Sequence, residues 1–197
     1  DSLNSKEDFQ QEIKRFNELT AGKSKGFRAP SFSLNSNSSW MIDVLEENEY
    51  IYDSSVVPAK TNLYGIPNAE NKPYKITSMN LESNSNDGKI LEFPLMITRF
   101  LGKKIPAAGG FYLRTLPLRI IENALKSYEN KQIPGVFYIH SWELTPEFMP
   151  KIEISKKDSF ITYHNINKAY PKMEELMEKF EFTSFSNFIH ENKEKLY

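Results

Sequence analysis

The sequence predicts an α/β domain built on a largely parallel sheet, and three observations lead there. Segments with apolar residues at three- and four-residue steps alternate with short runs of β-forming residues, the pattern of strands joined by helical crossovers. The chain has 197 residues and a mass of 22.9 kDa, the size of one ordinary domain. Its 39% hydrophobic and 13% aromatic content suffices for a packed core, which excludes a disordered or collagen-like chain.

The elements follow in order. Ser5, followed three residues later by Asp8, is a helix-start signature in which each side chain satisfies an orphan backbone N–H. Phe9, Ile13, Phe16 and Leu19 then place an apolar stripe inward, and Gly22 is a natural stop. Residues 25–28 read as a short strand broken by Pro30, and the Asn/Ser tract 33–39 as a loop that caps a helix carrying Trp40, Met41, Val44 and Leu45. A strand follows at 49–52. From Pro58 to Asn86 the chain is rich in Pro, Asn, Ser and Lys with little periodicity, which predicts a long excursion outside the core. Residues 90–97 read as one strand crossed by Pro94, and 106–110 as a loop. Pro117 opens a helix with Leu118, Ile121, Leu125 and Tyr128 inward. Residues 135–142 form the strongest strand pattern in the chain. Met173, Leu176, Met177 and Phe180 mark a late helix, residues 182–185 a last strand, and 190–197 a charged tail.

Composition also removes function classes. With 25 Lys and Arg against 26 Asp and Glu, there is no basic excess to neutralise a run of phosphates, so nucleic acid is not an expected partner. The absence of cysteine removes disulfides, thiolate metal sites and cysteine nucleophiles together. No apolar run approaches the roughly 18 residues of a membrane span. Residues 1–8 are polar and acidic and do not read as a signal peptide, which favours the cytoplasm over the cell envelope. Position 1 is not methionine, so the expectation is a chain processed, trimmed or cut from something longer.

In an α/β sheet, ligands gather beyond the carboxyl ends of the strands, and two such ends carry unusual residues. His140 follows the apolar run 136–139, where an imidazole serves as general acid or base or as a hydrogen-bonded structural histidine. Arg28 stands between Gly26-Phe27 and Ala29-Pro30, where its guanidinium clamps a carboxylate or makes a surface ion pair. Asp53 either orients a histidine or belongs to an ordinary Asp-Ser-Ser turn. Glu143 with Glu92 or Asp53 offers a glycosidase carboxylate pair. Trp142, Tyr112 and Phe111 could stack on sugar faces, although aromatics beside strands are more often core. No His-x-x-x-His, Asp-Asp-Gly or His-x-Asp pattern occurs, so no complete metal site is visible.

Four blocks in order then carry a resemblance: Gly26-Phe-Arg-Ala-Pro-Ser-Phe-Ser33; Tyr52-Asp-Ser-Ser55 with Pro58; Gly109-Gly-Phe-Tyr-Leu-Arg114 with Pro117; and Tyr138-Ile-His-Ser-Trp-Glu143. In these the chain resembles a NodB-type polysaccharide deacetylase, of the carbohydrate esterase family 4 kind, and most of all its exopolysaccharide-locus branch. The segment from Tyr163 and His164 through Phe182 is similar to that branch's C-terminal extension. The resemblance implies a distorted (β/α) barrel and metal-assisted hydrolysis of N-acetyl groups on amino sugars. Its expected partner is therefore an N-acetylated polysaccharide or oligosaccharide.

The family's catalytic aspartate base and its metal ligands, an aspartate and two histidines, lie in two motifs absent here. The chain is thus expected to be the C-terminal part of such a barrel over residues 1–150, with the extension over 151–197. The divalent metal, usually zinc, would be held in the intact enzyme by residues outside this chain, which alone would be inactive. Unpaired barrel edges would promote self-association. Carried over by motif, His140 is the acid that protonates the leaving amine, Arg28 holds the catalytic aspartate, and Asp53 tunes His140. Ser31, Tyr112, Arg114, Trp142 and Glu143 are expected to contact substrate. Tyrosine is usual where Ser31 stands, so only its backbone N–H is carried over, as an oxyanion donor. A non-catalytic carbohydrate-binding protein and a glycoside hydrolase are the alternatives.

Overall fold

The computed structural model describes residues 5–61, 63–150 and 152–196, and they form two compact units, one through Ile105 and one from Pro106 to Tyr197. In the first, helix α1 (Lys6–Leu19) starts as its sequence requires, the Ser5 hydroxyl accepting from the Asp8 N–H at 3.1 Å. Only Phe9 and Ile13 of its stripe are buried, because the last turn runs past the core and leaves Leu19 78% exposed. Strand β1 (Gly26–Phe27), helix α2 (Trp40–Glu47) and strand β2 (Tyr52–Asp53) follow. Phe9 meets Phe27 and Trp40 edge-on at 5.4 and 5.9 Å, which locks α1 to β1 and α2.

Strands β3 (Tyr74–Ile76) and β4 (Ile90–Glu92) complete a four-stranded sheet of order β1-β2-β4-β3. The first three strands are parallel, pairing Phe27 with Asp53 and Asp53 with Glu92, while β3 runs antiparallel and sets Tyr74 opposite Glu92. The long excursion is therefore corrected at β3: Ile66, Tyr74, Ile76 and Leu81 enter the core with Met41, Val44, Leu45 and Ile90. The expected single strand over 90–97 is also corrected. Proline cannot donate to a ladder, so β4 ends before Pro94, and β5 (Ile97–Phe100) pairs with β6 (Lys103–Pro106) in a separate sheet.

The second unit is helical. Helices α3 (Gly110–Thr115) and α4 (Leu118–Asn130) are followed by α5 (Ser141–Leu144), α6 (Lys156–Tyr163), α7 (Ala169–Lys179), α8 (Phe185–Glu191) and α9 (Lys193–Leu196). α4 buries Ile121, Leu125 and Tyr128 as its periodicity predicts. Residues 135–142 are not a strand: Val136 alone makes a bridge, and from Ser141 the chain is helical. The His140 N–H goes to the Glu143 carboxylate at 3.1 Å in place of a ladder. The expected last strand at 182–185 is likewise replaced by α8, whose cap is Ser184, accepting from the Asn187 N–H at 3.2 Å.

The boundary expected at 150/151 moves to 105/106. Arg114 donates to the carbonyls of His164 and Ile161 at 2.6 and 2.9 Å. Lys172 donates to those of Leu113 and Leu116 at 2.8 and 2.7 Å. Residues 106–150 thus fold with the C-terminal segment and close the last turn of α3 with a lysine. Among the described residues, no helix is long and apolar enough to cross a membrane.

Candidate functional site

The residues singled out by sequence divide between the two units. In the first, Arg28 leaves the end of β1 and is fixed by β2's continuation: its Nε donates to the Ser54 carbonyl at 2.9 Å and its Nη2 to the Ser54 hydroxyl at 2.7 Å. The Phe32 ring lies 5.6 Å from its guanidinium carbon. Between them the chain makes a tight turn in which Ser31 (φ 55°) and Phe32 (φ 52°) are both left-handed, a conformation costly for residues with a Cβ. Ser31 is exposed at the tip of that turn while Phe32 is buried, so burial of the Phe32 ring helps hold the strained backbone.

Asp53 is fully enclosed, as is Glu92 beside it in the parallel register. The Ser55 hydroxyl donates to Asp53 Oδ1 at 2.7 Å and its N–H to Oδ2 at 3.2 Å, while the Ala29 N–H donates to that same hydroxyl oxygen. Glu92 Oε1 accepts from the Val56 N–H at 3.0 Å, whereas Oε2 finds no donor. Burial first, and the charge of Asp53 second, hold the Glu92 carboxyl well above the usual carboxylate range. The oxygen without a donor is where a proton belongs, since a protonated carboxyl becomes the donor. Asp53 is thus committed to Ser55 and Glu92. Sequence reasoning placed it as the partner of His140, and the serine that absorbs its charge stands two positions on in the same block.

In the second unit, motif residues far apart in sequence lock together. Arg114 on α3 is 2% exposed, and its Nε donates to the Gly110 carbonyl at 3.2 Å. Glu143 Oε1 lies 3.1 Å from that Nε and 3.0 Å from Nη2. A Cβ at Gly110 would lie 1.8 Å from Glu143 Oε2, and one at Gly109, where φ is 96°, would lie 2.5 Å from the Tyr138 ring. The paired glycines therefore make room for Glu143 and Tyr138. Arg114 and Glu143 are too enclosed to contact substrate as expected.

His140, by contrast, reaches solvent with a side chain 53% exposed. Its Nδ1 lies 3.3 Å from Glu143 Oε2, its ring stacks on Trp142 at 5.3 Å and 19°, and the Tyr138 ring meets it edge-on at 5.3 Å. Tyr112 and Trp142 are half-buried, and Tyr112 packs edge-on against Phe111 at 5.5 Å. Farther along the same unit, Pro146, Met149, Ile152, Tyr163, Ile166 and Asn167 line an open cleft of about 680 Å³. What the second cluster offers chemically is one exposed imidazole with a carboxylate behind it. Among the described residues, no three His, Asp or Glu side chains converge to hold a metal ion, so these residues do not fit a zinc site.

Residues 54–190 match the family model described as Domain of unknown function (DUF3473). No curated protein and no solved structure matches the chain.

Proposed function

The chain belongs to the DUF3473 family, and from that premise we propose that it is the proton-donating part of a polysaccharide N-deacetylase of NodB type. Domains of this family often sit in polysaccharide deacetylases, and the four sequence blocks resemble the same enzymes. The observation that carries the reading is His140, an exposed imidazole backed by a carboxylate and framed by Trp142 and Tyr138. Such a group is placed to donate a proton to a departing amine. The parallel strands β1, β2 and β4 are what a piece of the expected (β/α) barrel would contain.

In this reading His140 protonates the amine as the acetamide C–N bond breaks. The metal and its ligands belong to residues other than those described here, and the chemistry assigned to this chain is proton transfer alone. A glycosidase is disfavoured. Asp53 and Glu92 are 0% exposed and Glu143 2%, so no carboxylate of the required pair reaches a glycosidic bond. A second reading, carbohydrate binding without catalysis, draws on the open cleft beyond His140.

Acetate release from an N-acetylated hexosamine oligosaccharide, by the protein that carries this chain, tests the proposal. His140→Ala should lower the rate about 10²–10⁴-fold with substrate binding retained, and an unchanged rate would refute the assignment. Saturable binding without acetate release from the unmodified protein would favour the binding reading.

A further inference from the structure

We propose that Arg114 and Glu143 are positioning residues that hold His140 as its Nδ1–H tautomer, leaving Nε2 as the atom that transfers the proton. The inference rests on the deacetylase reading for its catalytic consequence, but its structural content stands on the geometry of the second unit alone. Glu143 is the third residue of α5, and its Oε2 turns back to accept the His140 backbone N–H at 3.1 Å, as a capping-box glutamate does. That bond places the carboxylate beside the histidine's own ring, 3.3 Å from Nδ1.

The other carboxylate oxygen cannot swing away. It lies between Nε and Nη2 of Arg114 at 3.1 and 3.0 Å. The single Nε–H is shared with the Gly110 carbonyl, while Nη2 and Nη1 also donate to the carbonyls of Ile161 and His164. A planar fork tied at four acceptors has one orientation, so the glutamate it grips has one orientation too. A carboxylate paired with a guanidinium accepts and does not donate. The ring nitrogen facing it must therefore carry the hydrogen.

The aromatic neighbours restrict the imidazole further. Trp142 covers one face at 19° and Tyr138 meets the ring edge-on. Nε2 points away from Glu143, and among the described residues nothing bonds to it. In the proposed reaction the imidazolium gives its Nε2 proton to the nitrogen. The C–N electron pair goes to that nitrogen, and the imidazole is left neutral with Nδ1–H still on Glu143. Neither Arg114 nor Glu143 touches substrate in this scheme; they act through the histidine.

The tautomer is read directly by two-bond ¹H–¹⁵N correlation spectra of the imidazole rings at about pH 9, where histidine is neutral. The His140 resonances are identified by their loss in His140→Asn. The unmodified protein should show His140 as Nδ1–H. Glu143→Gln, folded by circular dichroism, should turn its amide oxygen to Arg114 and its NH₂ to Nδ1, shifting the ring to Nε2–H. An Nε2–H ring in the unmodified protein would overturn the proposal without any variant, as would an unchanged tautomer in folded Glu143→Gln.

In the protein that releases acetate, Glu143→Gln should lower kcat about 10²-fold with KM held. That is less than the ~10⁴-fold seen when a buried serine-protease triad carboxylate is amidated, because His140 is half exposed. The two claims fail separately. An Nδ1–H ring without acetate release sinks the deacetylase reading alone, whereas acetate release that needs His140 but comes with an Nε2–H ring sinks the positioning alone.

Discussion

Glu92→Gln separates a buried neutral carboxyl from a buried charge. Glu92 is fully enclosed beside Asp53, and its Oε2 has no donor. Facing the pair from β3 is Tyr74, whose own hydroxyl is pushed above its usual range by burial first of all. Glu70, Asp53 and Glu82 push it in the same direction, and no cation is among these influences. The folded protein therefore keeps a proton on Glu92 that the unfolded chain releases above the ordinary glutamate value of 4.5.

Because the folded value is raised, the contribution is fully present below about pH 4.5 and is lost as pH rises toward the folded value. Each pH unit in that window removes up to roughly 1.4 kcal/mol per proton, so stability should fall as pH rises above about 4.5. Glutamine is a neutral near-isostere of the protonated acid and removes this slope. It should cost about 1 kcal/mol at the acid end, where its second N–H lacks an acceptor, and should become the more stable form near neutrality. Urea unfolding of both proteins across that range measures the difference. Parallel curves, with glutamine less stable throughout, would mean that Glu92 is charged in the fold and would refute the reasoning.

Three further substitutions probe the two clusters. Gly110→Ala puts a methyl into the Glu143 carboxylate and should cost about 3–5 kcal/mol by prising apart a buried ion pair; wild-type stability in urea would show that the knot is not close-packed. Ser55→Ala strands the Ala29 N–H and one oxygen of Asp53, with an expected loss of about 2–4 kcal/mol in thermal denaturation, and a change below about 0.5 kcal/mol would contradict it. Ser155→Ala removes the cap that accepts from the Asp158 N–H at 3.1 Å and should cost about 1 kcal/mol, seen as faster amide exchange at the start of α6 and nowhere else in the unit.

Local rules made several elements legible. A Ser with a carboxylate three residues on marks the start of α1. The apolar steps pick out Met41, Val44 and Leu45 of α2 and Ile121, Leu125 and Tyr128 of α4, all of them buried, because a helix face depends only on spacing. Pro94 is the exception: residues 90–97 read as one strand crossed by it, whereas β4 ends at Glu92 because proline lacks the N–H a ladder needs.

Partnerships across the chain were not legible, since they depend on which groups tertiary packing brings together. Residues 135–142 have the composition of a strand, yet a strand needs a neighbouring edge along its length, and this one bridges at Val136 only. Tyr74–Ile76 lies in a stretch without periodicity and becomes a strand because β4 offers it a ladder. In sequence, Asp53 reads as able to orient a histidine, and Glu143 as a substrate contact or one of a glycosidase carboxylate pair. Parallel pairing buries Asp53 against Glu92, while one turn of helix and the Arg114 guanidinium bring Glu143 to His140. Sequence could name the carboxylates, but their burial and their hydrogen-bond donors decided what each one does.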